Sequence, residues 1–254
     1  MNVLPLQSGS NGNCICVEAG GVTLLFDAGI SGRQAKERLA IHGRDIRKVD
    51  ALVISHDHID HVSCAGIYQR KFGMPLFITQ KTLRAAQSAR GLGGLGDVHH
   101  FRSGDALRFG AVRVETMPTP HDGADGVAFI IDDGISRLGI FTDLGHVYGD
   151  LKCALASVDA ALVESNYDPA MLEAGRYPYP VKRRISGPGG HLSNIEAAEL
   201  IAESNGHLRW VCLAHLSEEN NTPELALRTH RTITGALLRY HVASRYTSSR
   251  AMKI

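Results

Sequence analysis

The sequence predicts an α/β protein whose two β-rich halves are each finished by helices. That pattern fits two sheets packed face to face with helices outside, and equally an open doubly wound sheet. Three observations predict it: short apolar runs bounded by Gly, Asp and Pro turns, helical segments between and after them, and a composition of 44% hydrophobic and 21% charged residues over 254 positions, enough to bury a full core. In chain order, NVLPL (2–6), CICVEA (14–19), VTLLFD (22–27) and ALVIS (51–55) have strand composition, and Gly20–Gly21 joins the second to the third as a hairpin. GRQAKERLAIHG (32–43) has helical composition and stops at Gly43. CAGIYQRKFG (64–73) and QKTLRAAQSARG (80–91) are helices flanking a short strand, PLFI (75–78). ALRFG, VRVETM, GVAFIID and SRLGIFTD, between 106 and 143, are four strands separated by Gly and Asp turns, and DAALVES (159–165) is a further one. SNIEAAELIAESNG (193–206) is a helix with Ser193 as N-cap, Glu196 completing a capping box and Gly206 as its stop. RWVCLAH (209–215) is a strand, and TPELALRTHRTITGALL (222–238) a helix with Pro223 in its first turn. The segment GLGGLG (91–96) reads as a mobile loop rather than a boundary; with no repeat and no linker, residues 1–254 are expected to form a single domain.

Composition narrows the function classes. A formal net charge of +1 and a pI near 7.8 provide no global basic field for nucleic acid, although a local patch needs none. The five cysteines, Cys14, Cys16, Cys64, Cys153 and Cys212, are odd in number and contain no C-x-x-C pair, which argues against a disulfide framework and for a reducing cytoplasm. No apolar run approaches the roughly 18 residues of a membrane span, and the N-terminus lacks the pattern of a secretory signal. A soluble, cytoplasmic protein without membrane association is expected.

The stretch VISHDHIDHVS (53–63) carries the chemistry. It crowds His56, His58 and His61 together with Asp57 and Asp60 directly after an apolar run. With 13 histidines in 254 residues, an H-x-H-x-D-H arises by chance on the order of once in a thousand such chains. Neutral imidazole and carboxylate are the donors preferred by zinc and its neighbours, and on a tight turn His56 and His58 can reach one ion while Asp60 and His61 reach another. The turn lacks thiolate until Cys64, which argues against a closed structural zinc site. Further ligands stand at the ends of later strands: His121 in MPTPHDG, Asp143 in LGIFTDLG and His215 in CLAHLS.

SHDHIDH followed by His121, Asp143 and His215 in that order resembles the metallo-β-lactamase fold superfamily of hydrolases. The resemblance runs from LLFDAG, with Asp27 in the family's first motif, to LAHLS. SGSNGN (8–13), ESN (164–166), GHLSN (190–194) and AHLSEENN (214–221) together look like its YycJ/WalJ group, on the nuclease and phosphodiesterase side. The resemblance implies an αββα sandwich with two divalent metal ions (zinc, or manganese or iron) at the rim between two mixed sheets. Carried over, His56, His58 and His121 would hold one ion, Asp60, His61 and His215 the other, and Asp143 would bridge them. Asp27 would support the site without being a ligand. His61 departs from B1-type β-lactamases, which lack that histidine, and His58 departs from redox flavodiiron proteins, which carry glutamate there. Glyoxalase II shares the ligand set, but its thiol-substrate motifs have no clear match.

The same resemblance implies two-metal hydrolysis of a phosphodiester. Asp60 would orient or deprotonate the attacking water, and Glu164 with His191 would form a dyad that protonates the leaving oxygen. His191 has a competing reading as helix-entry packing beside Ser193, and Glu164 as a strand-end surface charge. For substrate contact the sequence offers Lys182, Arg183 and Arg184 with Tyr177 and Tyr179, then Arg70 and Lys71, and Arg84 and Arg90. Each such run is more commonly a solvated face. The loop of Ser8, Ser10, Asn11 and Asn13 fits either a phosphate cradle or an ordinary tight turn, with the turn slightly favoured. The group resemblance points to DNA as substrate, with exonuclease action on duplex ends. Hydrolysis of small cyclic phosphodiesters, a thioester hydrolase, a redox di-iron protein and a non-catalytic metal-binding module stand as the alternatives.

Overall fold

The computed structural model describes residues 1–204 and 207–254. The first half of the chain runs β1 (Asn2–Gln7), β2 (Cys14–Ala19), β3 (Val22–Phe26), α1 (Gly32–Ile41), β4 (Ala51–Val53), α2 (Ile59–Val62), α3 (Ala65–Phe72), β5 (Leu76–Thr79), α4 (Gln80–Arg90) and β6 (Val98–Phe101). The second half runs β7 (Ala106–Phe109), β8 (Val112–Pro118), β9 (Val127–Asp132), β10 (Arg137–Phe141), α5 (Gly149–Ala156), β11 (Ala160–Glu164), α6 (Pro169–Ala174), α7 (Tyr179–Ile185), α8 (Asn194–Ala202), β12 (Trp210–Ala214), α9 (Pro223–Thr234), β13 (Arg239–Val242) and β14 (Met252–Lys253).

Among the described residues the strands form two seven-stranded sheets, ordered β14-β1-β2-β3-β4-β5-β6 and β13-β12-β11-β10-β9-β8-β7. Each is antiparallel on one side and parallel on the other, the change falling at β3 in the first sheet and β10 in the second. Alternate side chains build three apolar layers. Val17, Leu24, Phe26, Val114, Phe129, Leu162 and Cys212 fill the space between the sheets, where the Phe26 and Phe129 rings meet at 4.9 Å. Cys16, Leu25 and Leu52 pack outward under α1 and α3, while Phe141, Val163 and Leu213 pack under α5 and α8. This is the αββα sandwich. Strands such as LLF and ALV are buried on both faces, so they read as continuous apolar runs whose periodicity says nothing about layering.

Most of the expected elements form. The Gly20–Gly21 turn closes the β2–β3 hairpin with both glycines at positive φ, and Ser193 and Glu196 make the reciprocal capping box of α8. Gly206, the expected stop of that helix, lies outside the described residues, as does the side chain of Arg90. Two expectations are corrected. The helix expected over 222–238 stops at Thr234, because Gly235 takes φ 81° and ends the run; residues 239–242 then become β13. The 91–96 segment, expected to be mobile, is tied down: Arg70 donates to Leu92 O (2.8 Å) and Gly94 O (2.9 Å), and Gln69 Oε1 accepts from Gly96 N (2.8 Å). Arg70 is therefore spent on the fold rather than free for substrate. The loop at 8–13 takes the favoured form, a turn and not a cradle, since the amides of Ser8, Gly9, Gly12 and Asn13 all donate within the protein.

The turn at the exit of β3 lies against the histidine segment. Ala28 N donates to His61 O (2.6 Å), Gly29 N to Asn13 O (2.9 Å), and Asn13 N to Asp60 O (2.7 Å). A Cβ on Gly29 would stand 1.7 Å from Asp60 O. Gly29→Ala is expected to lower unfolding stability by about 1–3 kcal/mol in urea denaturation, the usual cost of overpacking. Gly94→Ala, which meets nothing within 4 Å, should leave the midpoint unchanged.

Candidate metal centre

Every residue singled out for chemistry lies on one rim. Asp27 follows β3, His56 to His61 follow β4, His121 follows β8, Asp143 follows β10, Glu164 ends β11 and His215 follows β12. These strand ends point the same way, and the crevice beyond carboxyl ends is where α/β sheets bind ligands. Three of these residues, Asp27, Asp143 and His215, adopt positive φ (64°, 56° and 54°), and they are the only non-glycine residues to do so among those described. The left-handed conformation turns the chain sharply as it leaves the sheet, so that the side chain folds back over the rim. It costs on the order of 1 kcal/mol per residue, which the surrounding contacts must offset.

The donor atoms converge. Ligand atoms of His56, His58 and His121 lie within 4.8 Å of one another, as do those of Asp60, His61 and His215; Asp143 groups with His56 and His61, and again with Glu164, His191 and His215. Asp143 stands between the two histidine sets, with Oδ2 3.3 Å from His61 Nε2 and Oδ1 3.6 Å from His215 Nε2 and 3.7 Å from His121 Nε2.

Each imidazole is held by one nitrogen and offers the other. His61 Nδ1 donates to Asp27 Oδ2 at 2.7 Å, and Asp27 also accepts from Ser55 N (2.8 Å). His121 Nδ1 donates to Gly190 O at 2.7 Å. His56 Nδ1 lies 2.9 Å from Ser55 Oγ, and His58 Nε2 lies 3.2 Å from Asp122 Oδ1. The remaining nitrogens face inward, with His58 Nδ1 and His121 Nε2 3.1 Å apart. This is the support that ligating histidines receive in metal sites. Two atoms inside the ring, His56 Nε2 and Asp143 Oδ2, are buried with no hydrogen-bond partner. Leaving such groups dry is costly, and divalent cations would satisfy both. The residues fit a two-ion centre of nitrogen and oxygen donors. No cysteine joins these groups among the described residues, so the centre has the composition of an open rather than a closed site.

The electrostatics are those of a cation site. Burial would raise Asp60, yet His61 and His215 hold it well below the usual carboxylate range. Burial opposes protonation of His61, but Asp143, Asp27 and Asp60 outweigh it and push that imidazole well up. For His215, burial is likewise overcome by Asp143, Asp60 and Glu164, which push it up to about 10. His56 and His58 go the other way, lowered first by burial and then by neighbouring imidazoles.

Glu164 is fully buried, which rules out a strand-end surface charge. Its Oε1 accepts from His191 Nδ1 at 2.7 Å, and its Oε2 accepts from Leu144 N (3.2 Å) and Leu192 N (3.1 Å). Burial would raise this carboxyl, but His191 and His215 hold it ionised. His191 lines a cleft of about 620 Å³ with His58, Asp60, Asp143 and His215 on its floor and Ile59, Tyr177, Val181, Arg184 and Ile185 on its walls. Of the other basic candidates, Lys182 donates to Glu173 O (2.5 Å), Arg183 sits 6.0 Å over the Tyr179 ring, and Lys71 and Arg84 are exposed away from the cleft lining. Sequence reasoning missed the role of Asn13, whose Nδ2 donates to Gly9 O and Asp60 Oδ2, both at 3.1 Å. It also missed Ser55, Asp122 and Asn166, the last donating to His215 O at 2.8 Å. Neutral residues in Gly- and Ser-rich loops carry no local signal of such roles; the SGSNGN spacing was the nearest clue.

Residues 8–199 match the family described as the metallo-beta-lactamase superfamily. The chain is 34% identical over 222 residues to the exodeoxyribonuclease YycJ of Bacillus anthracis, covering 87% of this chain and 84% of that one. It is 35% identical over 237 residues to the exodeoxyribonuclease WalJ of Streptococcus pneumoniae, covering 91% and 86%. Among solved structures, the metallo-beta-lactamase fold protein YhfI of Bacillus subtilis superposes with a TM-score of 0.74 at 16% identity, covering 98% of both chains. Zinc-bound PqqB of Methylobacterium extorquens superposes with a TM-score of 0.74 at 18% identity, covering 98% and 100%. These two structures share the fold.

Two outcomes follow for metal binding. Replacing Asp27 by Asn loosens His61, and zinc affinity measured by chelator competition should fall about 10–100-fold. Zinc must also displace the protons that His61 and His215 retain in the metal-free protein, roughly two per chain, read by a pH indicator or by calorimetry in buffers of different ionisation enthalpy. The raised His215 stabilises the metal-free fold fully below about pH 6.5, and that contribution is lost as pH rises through about 10. Zinc affinity should therefore climb with pH across the neutral range; a flat profile would contradict this charge arrangement.

Proposed function

The chain belongs to the metallo-β-lactamase superfamily of metal-dependent hydrolases, and from that premise we propose that it acts as a single domain over residues 1–254 that cleaves phosphodiester bonds, as a DNA exonuclease. His56, His58 and His121 would hold one divalent ion and Asp60, His61 and His215 the other, with Asp143 standing between the two sets. Zinc, manganese and iron all suit this donor set. When bound, the two ions supply positive charge for phosphoryl oxygens and acidify water towards neutrality.

The observation that carries the reading is the Glu164–His191 pair at the edge of the centre. Glu164 is immobilised by two backbone amides and accepts from His191 Nδ1, which leaves Nε2 for the cleft. A thioester releases a thiolate that leaves readily, whereas the alkoxide of a sugar–phosphate chain needs a proton, and this imidazole borders the cleft where it could deliver one. Asp60 stays ionised and borders the same space, so it orients the attacking water and can take its proton. DNA as substrate is supported by the two relatives named exodeoxyribonucleases, both matched over most of their length. Five free cysteines support a reducing, cytoplasmic setting; among the described residues no helix is long and apolar enough to cross a membrane.

The test is digestion of end-labelled duplex by zinc- or manganese-loaded protein at low salt, where phosphate contacts are strongest. Cleavage should proceed from the ends and be abolished in His58→Ala. His191→Ala should slow DNA cleavage by about 10²–10⁴-fold while changing turnover of bis-p-nitrophenyl phosphate only a few-fold, because p-nitrophenolate leaves without a proton. Equal losses on both substrates would remove the general-acid role, and no cleavage of duplex at low salt would overturn the nuclease reading.

A further inference from the structure

The cleft wall is wired to the metal centre through one arginine. Arg184, on α7, forms a two-pronged pair with Asp122: Nε to Oδ2 at 2.6 Å and Nη2 to Oδ1 at 3.0 Å. The same Asp122 Oδ1 lies 3.2 Å from His58 Nε2. Asp122 follows His121 directly, and its amide donates to Gly189 O (3.1 Å), which fastens this loop to the one carrying His191. The Arg184 side chain is 58% exposed, lines the cleft, and its Nη1 makes no protein hydrogen bond among the described residues. His58 meets Asp122 through Nε2, which leaves its Nδ1 turned inward, 3.1 Å from His121 Nε2.

We propose that Arg184 is a substrate-positioning residue: it binds a backbone phosphate beside the scissile one through its open edge while its other edge holds Asp122, which fixes His58 in the tautomer that presents Nδ1 to the metal. Guanidinium suits both tasks, because its planar fork occupies a carboxylate with two donors and keeps others for a second anion. Lysine could not do both. The neighbours fit a nucleic-acid strand: Tyr177, Val181 and Ile185 line the cleft on the same segment, and Tyr179 is 72% exposed beside them. The proposal rests on the reading of His58 as a ligand and of DNA as substrate, and the two halves separate by experiment.

The first half is a double-mutant cycle on zinc affinity, measured by chelator competition without any substrate. Asp122→Ala should weaken the affected site about 10–100-fold. Arg184→Ala should weaken it less, and the double variant should match Asp122→Ala alone, because Arg184 acts through Asp122. Asp122→Asn, which keeps an oxygen for His58, should recover most of the loss. Losses that simply add, or no loss in Asp122→Ala, would overturn the clamp. The second half measures duplex binding by zinc-loaded protein against salt. Arg184→Ala and Arg184→Lys should both raise KM for DNA more than they lower kcat, and Arg184→Ala should reduce the slope of log affinity against log salt by about 1. An unchanged slope would overturn the phosphate contact. If wild-type protein neither binds nor cleaves duplex, the nuclease reading falls with that contact, and the zinc cycle alone decides the clamp.

Discussion

Negative charge set at the strand ends is the constraint on which the rim depends. Asp27, Asp143 and Glu164 are buried, and Asp60 is nearly so, within one sandwich edge. Four carboxylates cannot be withdrawn from water together unless something positive joins them. The raised His61 and His215 imidazoles answer that charge here, and divalent cations would answer it in their place. Around that pool of negative charge the imidazoles are packed closely and anchored from behind. Asp27 shows how much one carboxylate holds: it fixes the His61 ring, ties down Ser55, and through Ser55 borders His56.

The sandwich serves this edge. Parallel strands in the middle of each sheet bring β3 and β4 from one layer opposite β10, β11 and β12 from the other, so that residues from 27 to 215 meet at a common end. Phe26 immediately precedes Asp27 and packs on Phe129 across the layers. An apolar contact between the sheets thus lies directly beneath the candidate ligands of the rim. Position in this centre is a property of the core as much as of the loops.

The candidate metal centre was legible because its members are chemically conspicuous: three histidines and an aspartate on one turn, then His121, Asp143 and His215, each just past an apolar run. Glu164 and His191 were legible through resemblance, and their 2.7 Å contact now gives that pair a geometry. What stayed hidden had no periodic or compositional mark. β6 buries only Phe101 fully, β14 has two residues, and α7 buries none of its seven, so no stripe announced them. β13 was masked by the helical propensity of the segment before it, with only Gly235 to mark the break. Asn13 and Ser55 act through single polar atoms whose partners are 47 and 28 positions away, a distance that local reasoning does not span.

Left-handed backbone at Asp27, Asp143 and His215 has a consequence for how related chains drift. Such a conformation is cheapest for glycine and next for asparagine. Glycine at position 27 would relieve the backbone but leave Ser55 N, which donates to Asp27, buried without its partner. Backbone and side chain thus constrain those three positions together, so that losing one of the side chains would alter the turn and the charge of the rim at once.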